Sequence, residues 1–304
     1  MAAPPSRAER RRQRAAAFRE RARRLEERAQ AERRQHESVD AAFEMVDRDG
    51  EVAGGIIAGA LAYRFFIWLL PLALVAVAGL GIAADSANQS PESTAEDLGL
   101  DDFVSGSIAS AASSPNRWYA LLVGLPVLLF VTRSVLRVLI GAHRLVWAEV
   151  RAAAPRPTAG ATLRLLVLLV ALGAASVAAS AVRAWSGGFG VLSILLIALP
   201  YAAIWLVVSL RLPHRDAPAI ALVPGALLFG LGLELLHVFG AYVLEPYAIN
   251  KQGTYGALGA AAALLFAIFL VSRLIVAAAI LNATLWDRRV RADTGVERPV
   301  RGVG

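Results

Sequence analysis

The stretch VAGGIIAGALAYRFFIWLLPLALVAVAGLGIAA, residues 52–84, decides the fold of this chain because it carries a single charge, Arg64. About 20 consecutive apolar residues form a helix that crosses a hydrocarbon layer of about 30 Å. The run therefore predicts a transmembrane helix, and Pro71 predicts a kink within it. Five more apolar runs follow, so we predict an all-α fold, a polytopic membrane helix bundle. The six spans are predicted at about 56–84, 118–142, 164–185, 190–210, 219–244 and 255–286.

The charged residues are few and unevenly distributed. The 304 residues are 57% hydrophobic and 18% charged, whereas soluble domains carry about 25% charged residues. A basic arm, residues 1–51, and a basic tail, residues 287–304, flank the predicted membrane domain, residues 52–286. The arm is predicted to be partly helical. The net charge of +7 suits the anionic headgroups of membrane lipids, and no nucleic-acid partner is expected.

The residue types that catalysis or metal binding would need are missing or scattered. Cysteine is absent, and the four histidines are far apart in the sequence, without a metal-binding spacing. Hydrolysis needs a metal cluster or a paired acid and base. We therefore predict no catalytic residues, no metal site, no cofactor and no enzymatic activity.

The loops alternate in charge along the chain. Basic loops are predicted at 143–164 and 211–216, and loops that are not basic at 85–117, 186–190 and 245–253. Loops that carry an excess of arginine remain in the cytoplasm. The arm and the tail are basic too, so both termini are predicted to be cytoplasmic. A short surface helix is predicted in the first loop, and a tight hairpin at the glycine-rich second loop.

Several short motifs follow one another in an order that is similar to one bacterial family. They are residues 60–71 with Tyr63 and Pro71, residues 132–137, Pro213, Pro224 with Gly225, Tyr242, Tyr255 with Gly256, and Asn282. Over about residues 40–290 the chain resembles the YihY/BrkB family of bacterial inner-membrane proteins, once mislabelled ribonuclease BN. The resemblance implies a six-helix bundle in the bacterial cytoplasmic membrane. It also implies a role in envelope integrity or in lipid or solute translocation. The chain departs from the family at Ile280, where a Glu is frequent.

Four arginines fall within the cytoplasmic halves of the predicted spans. They are Arg64, Arg133, Arg137 and Arg273. Guanidinium groups bind phosphate through two parallel hydrogen bonds, and four of them would repel one another without an anion or water. We predict that they bind a lipid headgroup or another anion. The alternative is that these side chains snorkel to the membrane surface.

The predicted fifth span carries a second polar group. Glu234 and His237 are one helical turn apart, and Arg183 is a candidate partner for the glutamate. They form either a gating pair or a polar contact that joins helices. Two pairs of small residues four positions apart, Gly55 with Gly59 and Ala226 with Gly230, predict close helix packing within the bundle, or else a dimer face.

These features favour a transport-type protein of the bacterial envelope that binds or translocates an anionic lipid or an amphipathic solute. Two alternatives stay open. One is a scaffold for envelope integrity that transports nothing and acts as a homo-oligomer or with an envelope partner. The other is a channel for small anions.

Overall fold

The structure, a computed structural model, is helical in nearly all of the residues that it describes. It describes residues 36–87, 117–148, 156–186, 191–240 and 245–295, and positions 16, 18, 20, 21, 23 and 24. Within these residues there are no strands. The helices are α1 (Glu37–Glu51), α2 (Gly54–Ala87), α3 (Arg117–Val146), α4 (Ala159–Ser186), α5 (Val191–Ser209), α6 (Ala219–Phe239) and α7 (Glu245–Thr294).

Five of these helices contain a segment long and apolar enough to cross a membrane. The segments are Gly54–Gly79, Trp118–Val146, Ala159–Ala179, Ala219–Phe239 and Ala261–Thr294. The helix α5 is also apolar but shorter, and its span Val191–Ser209 rises about 28 Å at ~1.5 Å per residue. The predicted class, a polytopic membrane helix bundle, is confirmed. The number of six spans and the side on which the termini lie remain predictions.

The bundle packs around α7, which contacts α2, α3 and α6, while α2 pairs with α3 and α5 pairs with α6. The core contains Leu61, Leu139 and Phe229, and the Phe229 ring stacks on Trp205 at 4.3 Å between centroids. Large apolar side chains also cover the outside, as with Leu70 at 79% exposure. Apolar side chains on both the inside and the outside are what a lipid solvent requires.

The two pairs of small residues behave differently. A Cβ at Gly230 would overlap the carbonyl oxygen of Ala198 and approach the Ala202 Cβ at 2.9 Å. Ala226 is buried, so the prediction of close packing is confirmed for this pair, between α5 and α6. A Cβ at Gly55 or Gly59 would meet no atom within 4 Å among the described residues. Among the described residues this pair therefore makes no close helix contact, and the alternative of a dimer face stays a prediction.

Several predicted boundaries also change. The helix α7 begins at Glu245, so the predicted loop at 245–253 is helical. Its first turn contains Pro246, which is well tolerated at a helix start. The other end of α7 continues past the predicted limit of 286 to Thr294 because α1 packs against it. The predicted surface helix within 85–117 and the hairpin at 186–190 lie outside the described residues, as does Tyr242.

Candidate functional site

The relative positions of α2 and α3 are set by a buried hydrogen bond. The Trp68 Nε1–H donates to Thr132 Oγ1 at 2.8 Å, and the Thr132 hydroxyl donates to the Leu128 carbonyl at 2.7 Å. The helices α2 and α3 run antiparallel. Arg64 is one turn before Trp68 in α2, so it lies at the level of Leu136, which is one turn after Thr132 in α3.

Three of the predicted anion-binding residues lie close to this level. Arg64, Arg133 and Arg137 are exposed, and no acidic side chain of the described segments forms a salt bridge with them. The Arg64 guanidinium lies 5.9 Å from the ring centroid of Tyr63, which is itself 59% exposed. The structure therefore places these three arginines within about one helical turn of the level of Leu136, on the outer surface of the α2–α3 pair rather than between helices.

The lengths of the uncharged runs next to these arginines indicate how deep each arginine lies in the hydrocarbon layer. The uncharged run 65–84 that follows Arg64 rises about 30 Å at ~1.5 Å per residue, which matches one hydrocarbon layer. In α3 the uncharged run 118–132 rises only about 22 Å. Arg133 therefore lies inside a layer of about 30 Å, where an unpaired charge costs roughly 2.5–3.5 kcal/mol on insertion scales.

Two further arginines lie at the same level. A groove between α3, α4 and the end of α5 is lined by Leu136, Ile140, Ala161, Arg164, Leu165, Leu168, Val208, Arg211 and Leu212. Arg164 and Arg211 are exposed, and neither has an acidic partner in the described part of the chain. We call Arg64, Arg133, Arg137, Arg164 and Arg211 the arginine belt.

Arg273 does not belong to the belt. Its Nη1 and Nη2 donate to the two carboxylate oxygens of Asp49 at 2.8 and 3.2 Å. A Cβ at Gly54 would overlap the same carboxylate, so the absence of a side chain there makes room for the ion pair. The structure therefore gives Arg273 a carboxylate partner within the protein, whereas the hypothesis had assigned it an external anion.

Arg273 is one member of a network of ion pairs that joins α1 to the end of α7. Arg288 Nη1 donates to Asp40 Oδ2 at 2.6 Å and to Glu44 Oε2 at 3.2 Å, and Arg291 also pairs with Glu44. Asp287 accepts from Arg48 at 2.8 Å and from Arg215 at 3.0 Å. We call these pairs, with Arg273 and Asp49, the ionic cluster.

The ionic cluster also holds three turns in place. Arg48 donates to the Val146 carbonyl at 3.0 and 2.8 Å, so the end of α3 is included. Ala53, Ala148 and Arg215 have positive φ angles of 53°, 49° and 51°, a conformation that L residues adopt only at a cost. The described parts of the four segments predicted to be cytoplasmic thus meet at one end of the bundle. These segments are the arm, the 143–164 loop, the 211–216 loop and the tail.

The motif residues Gly225 and Asn282 form a buried joint between α6 and α7, and the half-buried Pro224 precedes Gly225 in α6. The Gly225 N–H donates to Asn282 Oδ1 at 2.7 Å, and Asn282 Nδ2 donates to the Leu222 carbonyl at 3.2 Å. A Cβ at Gly225 would overlap the Ala278 carbonyl oxygen. Ile280 is buried nearby in the apolar core, so the residue that replaces the frequent Glu packs as a hydrophobic side chain.

The other predicted site residues are distributed over the structure. Glu234 is 1% exposed, and His237 lines a cavity of about 190 Å³ together with Ser176 and Tyr201, whose hydroxyl donates to Ser176 Oγ at 3.1 Å. Both readings of this pair, gating and helix contact, therefore stay open. Pro71 is buried inside α2 and Pro213 is half-buried. The side chains of Arg183, Tyr255 and Gly256 lie outside the described part of the structure.

The sequence predictions missed part of the site. In the sequence, Arg164 and Arg211 contribute only to the basic loops that predict the topology, although both lie next to span ends that are predicted to be cytoplasmic. The acidic partners of the ionic cluster were not singled out either. No group of three His, Cys, Asp or Glu side chains in the described segments is arranged to hold a metal ion.

Comparison with known proteins identifies a family. A family model described as "Virulence factor BrkB" matches residues 50–301, which include α2 to α7 and exclude most of α1. No curated protein and no solved structure matches the chain.

Proposed function

The chain belongs to the BrkB family of membrane proteins, and from that premise we propose that it is a transport-type protein that binds and translocates an anionic lipid. Its location is the bacterial cytoplasmic membrane. It acts without a cofactor or a catalytic group, and its partners are the anionic headgroups of membrane lipids. Nucleic acid is not among them.

The observation that carries the proposal is that Arg64, Arg133 and Arg137 are exposed and form no ion pair with any residue that the structure describes. A guanidinium inside the hydrocarbon layer needs water or an anion to offset the cost of its charge. A lipid phosphate supplies that anion and accepts two hydrogen bonds from one guanidinium. Because Arg133 lies deeper than Arg64, a headgroup that moves from Arg64 to Arg133 has already entered the layer.

Translocation is tested by reconstituting the full chain in vesicles that contain fluorescent phosphatidylglycerol. The readout is the rate at which the label becomes accessible to an external quencher. We expect Arg64→Gln and Arg133→Gln each to slow the rate at least about tenfold, since hydrogen bonds to charged groups contribute about 1.5–3 kcal/mol. Arg289→Gln is the matched control because Arg289 is exposed at the same end but lies outside the belt.

Two results would overturn the proposal. Rates equal to wild type in both belt variants would remove the role of the belt. Chloride flux without movement of the labelled lipid would favour the anion channel instead. If neither flux occurs, while deletion of residues 1–38 abolishes envelope integrity in cells, the scaffold alternative is supported.

A further inference from the structure

The groove between α3, α4 and α5 has an apolar floor and charged side chains in its lining, as ligand pockets commonly do. Its floor is apolar, with Leu136, Leu165 and Val208 among the lining side chains. Its lining also includes Arg164 and Arg211, which are exposed and have no acidic partner in the described segments. The groove therefore offers an apolar surface and two positive charges to the same ligand.

The position of the groove indicates where such a ligand comes from. The groove lies at the level of the arginine belt, since Leu136 lines it and Arg64 lies at the level of Leu136. The uncharged run 165–182 that follows Arg164 rises about 27 Å, so Arg164 marks the edge of the hydrocarbon layer on α4. A ligand that reaches this groove from the bilayer brings its polar part to the two arginines and its apolar part to the groove floor.

We propose that this groove binds one anionic phospholipid. The phosphate lies between Arg164 and Arg211, and the first methylene groups of one acyl chain pack on Leu165 and Leu168. The groove volume is about 130 Å³, and one liquid-phase water occupies about 30 Å³, so the groove holds only a short length of chain. The remaining chain length stays in the bilayer. The substrate class rests on the proposed function, whereas the binding site itself does not.

Binding is measured by native mass spectrometry of the full chain, released from detergent with phosphatidylglycerol or with phosphatidylcholine of the same acyl chains. We expect wild type to retain phosphatidylglycerol in preference to phosphatidylcholine. The double variant Arg164→Gln, Arg211→Gln should lose at least about tenfold in apparent affinity for phosphatidylglycerol, because two charge-assisted contacts are removed. Arg289→Gln, which removes an exposed charge away from the groove, should leave the affinity within about twofold of wild type.

A second variant tests the apolar half of the site. Ala161 lines the groove and is half-buried, so Ala161→Trp fills the groove and leaves both arginines in place. We expect it to reduce phosphatidylglycerol retention as strongly as the double variant. Unchanged retention in either variant would overturn the proposal. Complete displacement of the lipid by millimolar inorganic phosphate would overturn it too, because the site would then hold a free anion.

Two further variants distinguish the possible outcomes of the experiment. If the double variant does not fold, Arg164→Lys with Arg211→Lys preserves both charges and removes the two-pronged geometry. A several-fold loss is then expected, and no loss contradicts the proposal. Arg64 does not line the groove, so Arg64→Gln should slow translocation but reduce phosphatidylglycerol retention less than the double variant does. If wild type binds the lipid but does not translocate it, the proposed function is refuted and the binding site is supported. If wild type translocates the lipid without binding it in the groove, the proposed function is supported and the binding site is refuted.

Discussion

The carboxylate of Glu44 belongs to the ionic cluster, and its contacts allow the effect of its removal on the docking of α1 to be calculated. It is 6% exposed and accepts hydrogen bonds from Arg288, at 3.2 Å, and from Arg291. In a Glu44→Gln variant, Arg288 keeps its bond to Asp40 at 2.6 Å. Arg291 loses its only salt bridge to a described residue. We expect α1 to separate from α7 more often, while the membrane helices stay folded.

The size of the effect follows from the contacts. A hydrogen bond to a charged group contributes about 1.5–3 kcal/mol, and the side chain of Arg291 is 29% exposed, so solvent screening favours the lower half of that range. A loss of about 1.5–2.25 kcal/mol raises the separated fraction of α1 about 10- to 40-fold, at tenfold per 1.4 kcal/mol.

Cysteine labelling measures this fraction because the native chain has no cysteine. Met45 packs against the core from α1, so a Met45→Cys background is protected from maleimide while α1 is docked. When α1 closes faster than the reagent reacts, the labelling rate follows the open fraction. Glu44→Gln should therefore accelerate labelling about 10- to 40-fold.

The matched control is Glu37→Gln on the same helix. Glu37 is 91% exposed and lies 3.7 Å from Arg288, and exposed pairs of this kind contribute little. Its labelling rate should stay within about twofold of the background. A rate for Glu44→Gln that is equally unchanged would refute the reasoning, because it would mean that the ionic cluster does not hold α1 in place.

Two stability predictions follow from the buried joints. Asn282→Ala leaves the Gly225 N–H and the Leu222 carbonyl without their partner, so we expect a loss of about 2–4 kcal/mol and a lower melting temperature in detergent. Ser272→Ala, which removes only a bond within α7, should change the melting temperature much less. Gly230→Ala should reduce the amount of folded protein, whereas Gly59→Ala should not, and equal accumulation of the two variants would contradict the packing of α5 on α6 described above.

The pairing state of the arginines could not be read from the sequence. Arg273 looked equivalent to Arg64, since each is an isolated charge in an apolar run. The carboxylate that pairs with Arg273 belongs to Asp49, 224 positions away along the chain, and no local pattern links the two. Arg164 and Arg211 lie far apart in sequence for the same reason, and only the packing of α4 beside the end of α5 brings them to one groove.

By itself the sequence determined that this chain is a bundle of membrane helices, because the length of an uncharged run and its apolar character are local properties. It also identified the arginines of α2 and α3 and the motif residues Pro224, Gly225 and Asn282. The tertiary structure decided which arginines have partners and which face outward, where α1 binds, and which small residues allow helices to approach. These properties depend on the side chains that lie across from each residue, which the folded chain alone specifies.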